Sequence, residues 1–368
     1  MAHHFGIDPH ADAQWLALSK AVQLGARWMD ELLQRFPSPD ALLNCSREEA
    51  RSYGVERLQR DIERATVPDA LSRLMGQAPL SLVAVHHPEY PPLLSECQDR
   101  PPFLFVHGAL DVLRADTLSV VGTRKPSLDG RRAASEFAAA VIRARRVVVS
   151  GLALGIDGLA HGAALATGGR TIAILPSGLD EIYPARHGRL ADQIRQSGAL
   201  VSEFPLGTPP RKHHFYRRNR TLSGFSAATL VIEAGRPSGT LLTASAAADQ
   251  GRDVLALPWS IYHPGGSGCR YLLDDGALMM TSVAALYDYL GAPAPALPDG
   301  DLQSTFLPET VRDPDQQAVL TLMGRRSVQP ETLAIQLGWE LEHCLACLVS
   351  LELAGFVEKT LFGYQCCW

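Results

Sequence analysis

The sequence lacks any apolar run approaching the roughly 18–20 residues that a membrane-spanning helix needs. Its start, Met1-Ala2-His3-His4, lacks the basic-then-apolar pattern of a secretory signal. Neither a membrane protein nor a secreted one is therefore expected, and a cytoplasmic location is. There is no disulfide framework either: seven scattered cysteines in 368 residues read as reduced thiols. The chain also lacks the basic surplus usual in a nucleic-acid binder, since its formal net charge is −5. One window reverses that balance. No acidic residue lies between Glu203 and Glu233, where Arg211, Lys212, Arg217, Arg218 and Arg220 are found. A concentrated positive site on an acidic protein suits local phosphate binding and discourages indiscriminate adhesion.

The chain has room for two or three domains. Residues 1–77 read as a small helical domain, with apolar positions such as Trp15, Leu16, Leu18 and Val22 and a capping box at Ser46 and Glu49. Residues 78–290 alternate short apolar runs with glycine turns and helical stretches. The runs at 118–121, 147–149, 171–175, 200–202, 229–232 and 253–257 are continuous, as in strands buried on both faces of a parallel sheet. Helical stretches fill the gaps at 130–143, 156–166, 187–196 and 241–251. That rhythm predicts an α/β, doubly wound sheet, which runs at 82–85 and 103–106 extend. A Pro-rich linker follows at 291–310. Three helical segments at 311–323, 330–337 and 341–353, then a hairpin at 356–360 and 364–367 across Phe362-Gly363, form a winged-helix pattern over 311–368.

Ligands of open parallel sheets sit beyond the carboxyl ends of the strands. At that edge the sequence places Gly122-Thr123-Arg124-Lys125, Ser150-Gly151, Ser177-Gly178 and Ser238-Gly239. Glycine admits a phosphate to the backbone, and the N–H groups of a following helix point at it. Glycine also serves short turns for geometry alone, so the case rests on four such loops sharing one edge, with Arg124 and Lys125 on one of them. The run Arg211-Lys212-His213-His214-Phe215-Tyr216-Arg217-Arg218-Asn219-Arg220 offers cations for phosphates and aromatic faces for bases. Asn219 could bond a base edge or shape a turn. A solvated basic loop is the bland alternative. The interleaved aromatics and the preceding Pro209-Pro210 favour a nucleic-acid grip. Asp157 and His161, four apart, are better explained by helix-end electrostatics than by catalysis or a metal. Cys344 and Cys347 lie in an apolar helix without a matching second pair. Cys366 and Cys367 could join them, but buried structural cysteines are the better account. No catalytic residue, metal or cofactor is expected.

Longer motifs appear in order. They are Tyr90-Pro91-Pro92-Leu93-Leu94, Val121-Gly122-Thr123-Arg124, Ser150 through Asp157, Ser177 through Pro184, Phe215 with Arg218-Asn219-Arg220, and Glu233-Ala234 with Ser238-Gly239. From about residue 80 to 277 the chain resembles the DNA-processing protein A (DprA/Smf) family. A helical SAM-like start and a winged-helix end fit its three-part layout. The resemblance implies an extended Rossmann-like core that binds single-stranded DNA without chemistry. It implies a homodimer formed through that core, protection of incoming DNA, and loading of the RecA recombinase during natural transformation. Arg124, Lys212 and Phe215 take the positions of the family's grip, Arg218, Asn219 and Arg220 belong to the same motif, and Ser150-Gly151 flanks the pocket. Lys125, Ser238 and Gly239 complete the expected DNA-binding set. Two positions depart from the family pattern: Trp259 replaces a usual glycine after Pro258, and Arg270 a common asparagine.

Two rival functions each lack a residue pattern they need. A phosphoribohydrolase of the related lysine-decarboxylase-like group needs a glutamate where this chain has Thr243, and a hydroxyl cannot replace that carboxylate. A winged-helix transcription regulator needs a basic reading helix. Residues 311–368 carry four basic residues against seven acidic ones, so a protein-contact or accessory module is expected there.

Overall fold

Alternation along each strand decides which side of the sheet a residue serves. In β4 (Thr117–Val121), Leu118 and Val120 enter one apolar cluster and Val121 enters another. In β5 (Val147–Ser150), Val148 joins the first cluster while Val147 and Val149 join the second. Both faces are therefore covered, which is why these runs are apolar throughout. The computed structural model describes residues 2–21, 25–294, 313–323, 328–360 and 363–366.

The remaining strands of the large sheet are β1 (Ala2–His4), β2 (Leu80–Ala84), β3 (Phe103–Gly108), β6 (Thr171–Ile174), β7 (Ala199–Ser202), β8 (Ala228–Val231), β9 (Asp253–Ala256) and β10 (Leu278–Met279). Their spatial order is β1-β2-β3-β7-β6-β5-β4-β8-β9-β10. From β7 to β10 every pairing is parallel, while β1, β2 and β3 extend the sheet antiparallel. The chain steps outward from β4 through β5 and β6 to β7. It then returns to lay β8 on the other flank of β4. The loops leaving β4 and β8 diverge at that point, opening a crevice at the carboxyl edge.

Helices Leu128–Arg143 and Ile156–Ala166 pack on one face. The opposite face receives Leu222 and Phe225, Ala244 and the N-terminal helices. Phe103 and Phe105 are fully buried there, each contributing about 2–3 kcal/mol of hydrophobic stabilisation.

The N-terminal segment differs from a self-contained 1–77 domain. Met1–Ala294 forms one compact unit. Ala2–His4 pairs with β2 at the sheet edge, and Trp15 meets Phe103 edge-on at 6.4 Å. The buried residues of these helices share one apolar cluster with the sheet. The capping box at Ser46 and Glu49 is present.

The second unit, Pro295–Trp368, has its own core. Helices Pro314–Met323, Pro330–Leu337 and Leu341–Leu353 precede the antiparallel pair β11 (Val357–Thr360) and β12 (Gly363–Cys366). Cys344 and Cys347 are buried in this core, and burial raises both thiol pKa values. Residues 295–310 of the expected linker, with Phe362 and Cys367 of the expected hairpin, lie outside the described residues. No helix among the described residues is long and apolar enough to cross a membrane.

Candidate nucleic-acid interface

The basic run is a helix, not a loop. Helix Lys212–Gly224 starts after the Pro209-Pro210 pair and leads into β8. Helical periodicity then splits its side chains between two sides. Lys212, Phe215, Asn219 and Leu222 line an open pocket of about 990 Å³. Arg217 and Arg220 are tied elsewhere. Arg217 donates to Glu203 at 2.6 Å. Arg220 pairs with Asp99 and reaches Asp249 at 3.4 Å.

The pocket occupies the crevice between the β4 and β8 loops. Gly122, Thr123 and Arg124 form one wall, and Gly239, Thr240, Leu242 and Thr243 form another. The walls are joined where Thr240 Oγ1 donates to the Gly122 carbonyl at 3.0 Å. Gly155 permits the next loop to approach. Its φ is +82°, and a Cβ there would lie 2.3 Å from the Thr123 carbonyl oxygen.

Phe215 is half-buried between cations. The Arg124 guanidinium lies 5.6 Å from its ring centroid and that of Arg218 lies 5.8 Å away. Tyr183 meets the ring edge-on at 5.7 Å. Arg124 and Lys212 are exposed and make no ion pair among the described residues. Arg218 differs: it is buried at the pocket floor, donating to the carbonyls of Gly151 at 2.5 Å and Ile174 at 3.0 Å. A Cβ at residue 151 would fall 1.7 Å from the Arg218 guanidinium, so glycine gives that arginine its place.

Asp157 lies beside it. Burial raises the Asp157 pKa, opposed by the Arg218 charge and the N–H groups of Ala153 and Gly151. Burial likewise lowers the Arg218 pKa, opposed by Asp157. Each charge therefore makes the other's burial tolerable. His161 is not part of this. It is fully buried, bonds Thr171 Oγ1 at 2.7 Å, and burial pushes its pKa down to about 3.

Arg124, Lys212, Phe215, Arg218, Asn219 and Gly239 thus share the pocket. Lys125 is exposed on the adjoining loop. Ser150 is not accessible: its hydroxyl donates to the Val120 carbonyl at 2.6 Å inside the sheet. Gly151 is buried under Arg218, and Ser238 uses its hydroxyl to cap helix Gly239–Asp249 through the Thr240 N–H. Arg220 is outside the pocket lining, held by its two aspartates. Tyr183 and Leu242 line the pocket without having been singled out as site residues. Leu242 stands one helical turn after Gly239, a spacing that could have placed it on that wall.

Comparison with known proteins follows the same division. The family model of DNA recombination-mediator protein A matches residues 81–291, and a DprA winged helix domain matches residues 292–360. Protein Smf of Escherichia coli is 40% identical over 283 residues, covering 75% of this chain and 74% of that protein. DNA processing protein DprA of Streptococcus pneumoniae is 42% identical over 193 residues, covering 52% and 68%. The solved structure of that pneumococcal protein gives a TM-score of 0.63 at 33% identity, covering 75% of this chain and 97% of that one. A structure of DNA processing protein A from Helicobacter pylori, describing its single-stranded DNA binding mode, gives a TM-score of 0.52 at 26% identity. It covers 56% of this chain and 98% of that one.

Proposed function

This chain belongs to the DNA recombination-mediator protein A family, and on that premise we propose that it binds single-stranded DNA in the pocket beside helix Lys212–Gly224. It protects incoming DNA and loads the RecA recombinase onto it during natural transformation, in the cytoplasm and without chemistry of its own. The family resemblance supports the RecA step and a homodimer built through the Rossmann-like core. The Helicobacter pylori relative supports the choice of ligand.

One observation carries the pocket assignment: a half-buried aromatic ring, Phe215, with the unneutralised Arg124 beside it and Lys212 on the same pocket lining. Cations take phosphates, and the ring takes the face of a base. A duplex hides its base faces in the stack, whereas a single strand presents them. In this assignment Arg124, Lys125 and Lys212 contact phosphates, Phe215 stacks, and Asn219 bonds a base edge. Gly239 lets the backbone approach a phosphate. Gly151 and Arg218 set the floor, and Ser238 fixes the neighbouring wall. Ser150 and Arg220 act at one remove, through the sheet and through Asp99 and Asp249.

Thr243 stands where a phosphoribohydrolase would need its glutamate, which favours binding over cleavage. The winged-helix unit serves as a protein-contact or accessory module in this proposal. A salt-titrated assay on the full chain, comparing oligo-dT with duplex of equal length, tests it. Preference for oligo-dT with a steep salt dependence is expected. Equal affinity for duplex, or release of free base from a nucleoside monophosphate, would overturn it.

A further inference from the structure

The loop carrying Arg124 and Lys125 is gripped at both ends by one residue. The main-chain oxygen of Glu233 accepts the Thr123 N–H at 2.7 Å. Its side-chain Oε2 accepts the Ser127 N–H at 2.9 Å and lies 3.1 Å from the Ser127 hydroxyl. Glu233 is only 2% exposed, so its position is fixed by packing as well as by these bonds. Ser127 also caps helix Leu128–Arg143, bringing the carboxylate to a helix start where negative charge is favoured. Even the absence of a side chain at Gly130 serves this fit: a Cβ there would lie 1.8 Å from Glu233 Oε2.

The other carboxylate oxygen is held in turn. His263 Nε2 donates to Glu233 Oε1 at 2.8 Å. His263 belongs to the loop after β9, and that loop is fastened by Trp259 and Arg270. The Trp259 ring packs on the His263 ring at 4.5 Å, while Trp259 Nε1 donates to the Ile232 carbonyl at 2.7 Å. Arg270 donates to the carbonyls of Ser260 at 2.6 Å and His263 at 3.1 Å.

We propose that Glu233, braced by His263 with Trp259 and Arg270, is a positioning residue that presets the 123–127 loop so that Arg124 meets DNA phosphate without first being ordered. The inference rests on the single-stranded DNA assignment above. It adds a residue that touches no ligand, and it makes the 258–266 loop part of the grip. Trp259 and Arg270 then serve one brace: aromatic packing and two carbonyl bonds hold the histidine against the buried carboxylate. Preorganisation strengthens binding by removing the cost of ordering the loop.

The test uses the full chain and fluorescently labelled oligo-dT, with amide hydrogen exchange read over residues 123–127. Glu233→Ala is expected to weaken binding about tenfold and to speed exchange in that segment. Glu233→Gln keeps an acceptor for Ser127 and is expected to restore most of the affinity. The decisive measurement is the double variant. Combined with Arg124→Ala, the Glu233→Ala loss should shrink to the part carried by Lys125 on the same loop, whereas combined with Lys212→Ala it should persist in full. If Glu233→Ala fails to fold, His263→Ala replaces it, with a smaller expected loss of about threefold and the same dependence on Arg124. Parental affinity and parental exchange in the folded variant would overturn the brace. So would a loss of equal size in the Arg124→Ala background. If Arg124→Ala itself binds like the parent, the DNA assignment falls and the brace's role falls with it. If only the Glu233 and His263 effects are missing, the DNA assignment stands and the brace alone is refuted.

Discussion

On one side of helix Lys212–Gly224, Lys212 and Phe215 line an open pocket with Arg124. On the other, Arg217 and Arg220 are bound to Glu203, Asp99 and Asp249. The same basic run thus does two different jobs. A cation already neutralised by a carboxylate has little attraction left for phosphate, and an exposed one without a partner retains it. Local charge count therefore overstates the site, and geometry decides which cations belong to it. Arg218 falls between the two groups: it lines the pocket, yet its guanidinium bonds protein carbonyls.

That division can be broken experimentally, beginning with the largest effect. Arg218→Ala removes a buried charge, takes its favourable field away from Asp157 and leaves two carbonyls without their donor. A loss of about 3 kcal/mol in urea-unfolding stability is expected. A fully stable variant would place Arg218 with the free cations instead. Phe215→Ala should weaken oligo-dT binding by about 1–3 kcal/mol while leaving the salt dependence nearly unchanged. Arg124→Ala and Lys212→Ala should each flatten the slope of log affinity against log salt by about 0.7. An unaltered slope for both would show that neither contacts phosphate.

Arg217→Ala should leave DNA affinity within about twofold and cost about 1 kcal/mol of stability at neutral pH. Burial raises the Glu203 pKa, and Arg217 pulls it back. Without Arg217 it rises further, so the folded variant binds a proton more readily than the unfolded chain. Its stability deficit should therefore shrink as pH falls through that raised pKa towards the ordinary carboxylate range. A deficit that grows on acidification would contradict the assignment. The smallest signal is expected from the isolated segment 311–368, whose acidic surplus should leave duplex binding weak. Tight, salt-sensitive binding would give this unit a DNA-reading role.

The parallel strands were legible because residues buried on both faces leave continuous apolar runs. The carboxyl-edge loops followed from those strands, and with them the neighbourhood of Arg124. Sorting the basic run was not possible from charge alone. Nothing in the letters Arg217, Arg218 and Arg220 distinguishes a surface pair from a buried strut. The difference depends on Glu203, Asp99 and Gly151, brought close only by the fold. Tyr183 was visible within a motif, but its edge-on contact with Phe215 required two distant segments to meet. Ala2–His4 was missed as a strand because three residues carry no usable alternation.

The pairing of β4 with β8 has a consequence in time. Ser119 lies beside Thr229 and Val121 beside Val231, although the sequence between them contains three other strands of the sheet. A ribosome therefore releases the Arg124 loop long before it releases the strand that closes the crevice. Contacts of such long sequence separation form slowly. Until β8 docks, Arg124 and Lys212 are two unrelated cations on an unfinished chain. The pocket comes into being only when the sheet is closed, so an emerging chain lacks the convergence of Arg124 and Lys212 that the folded one has.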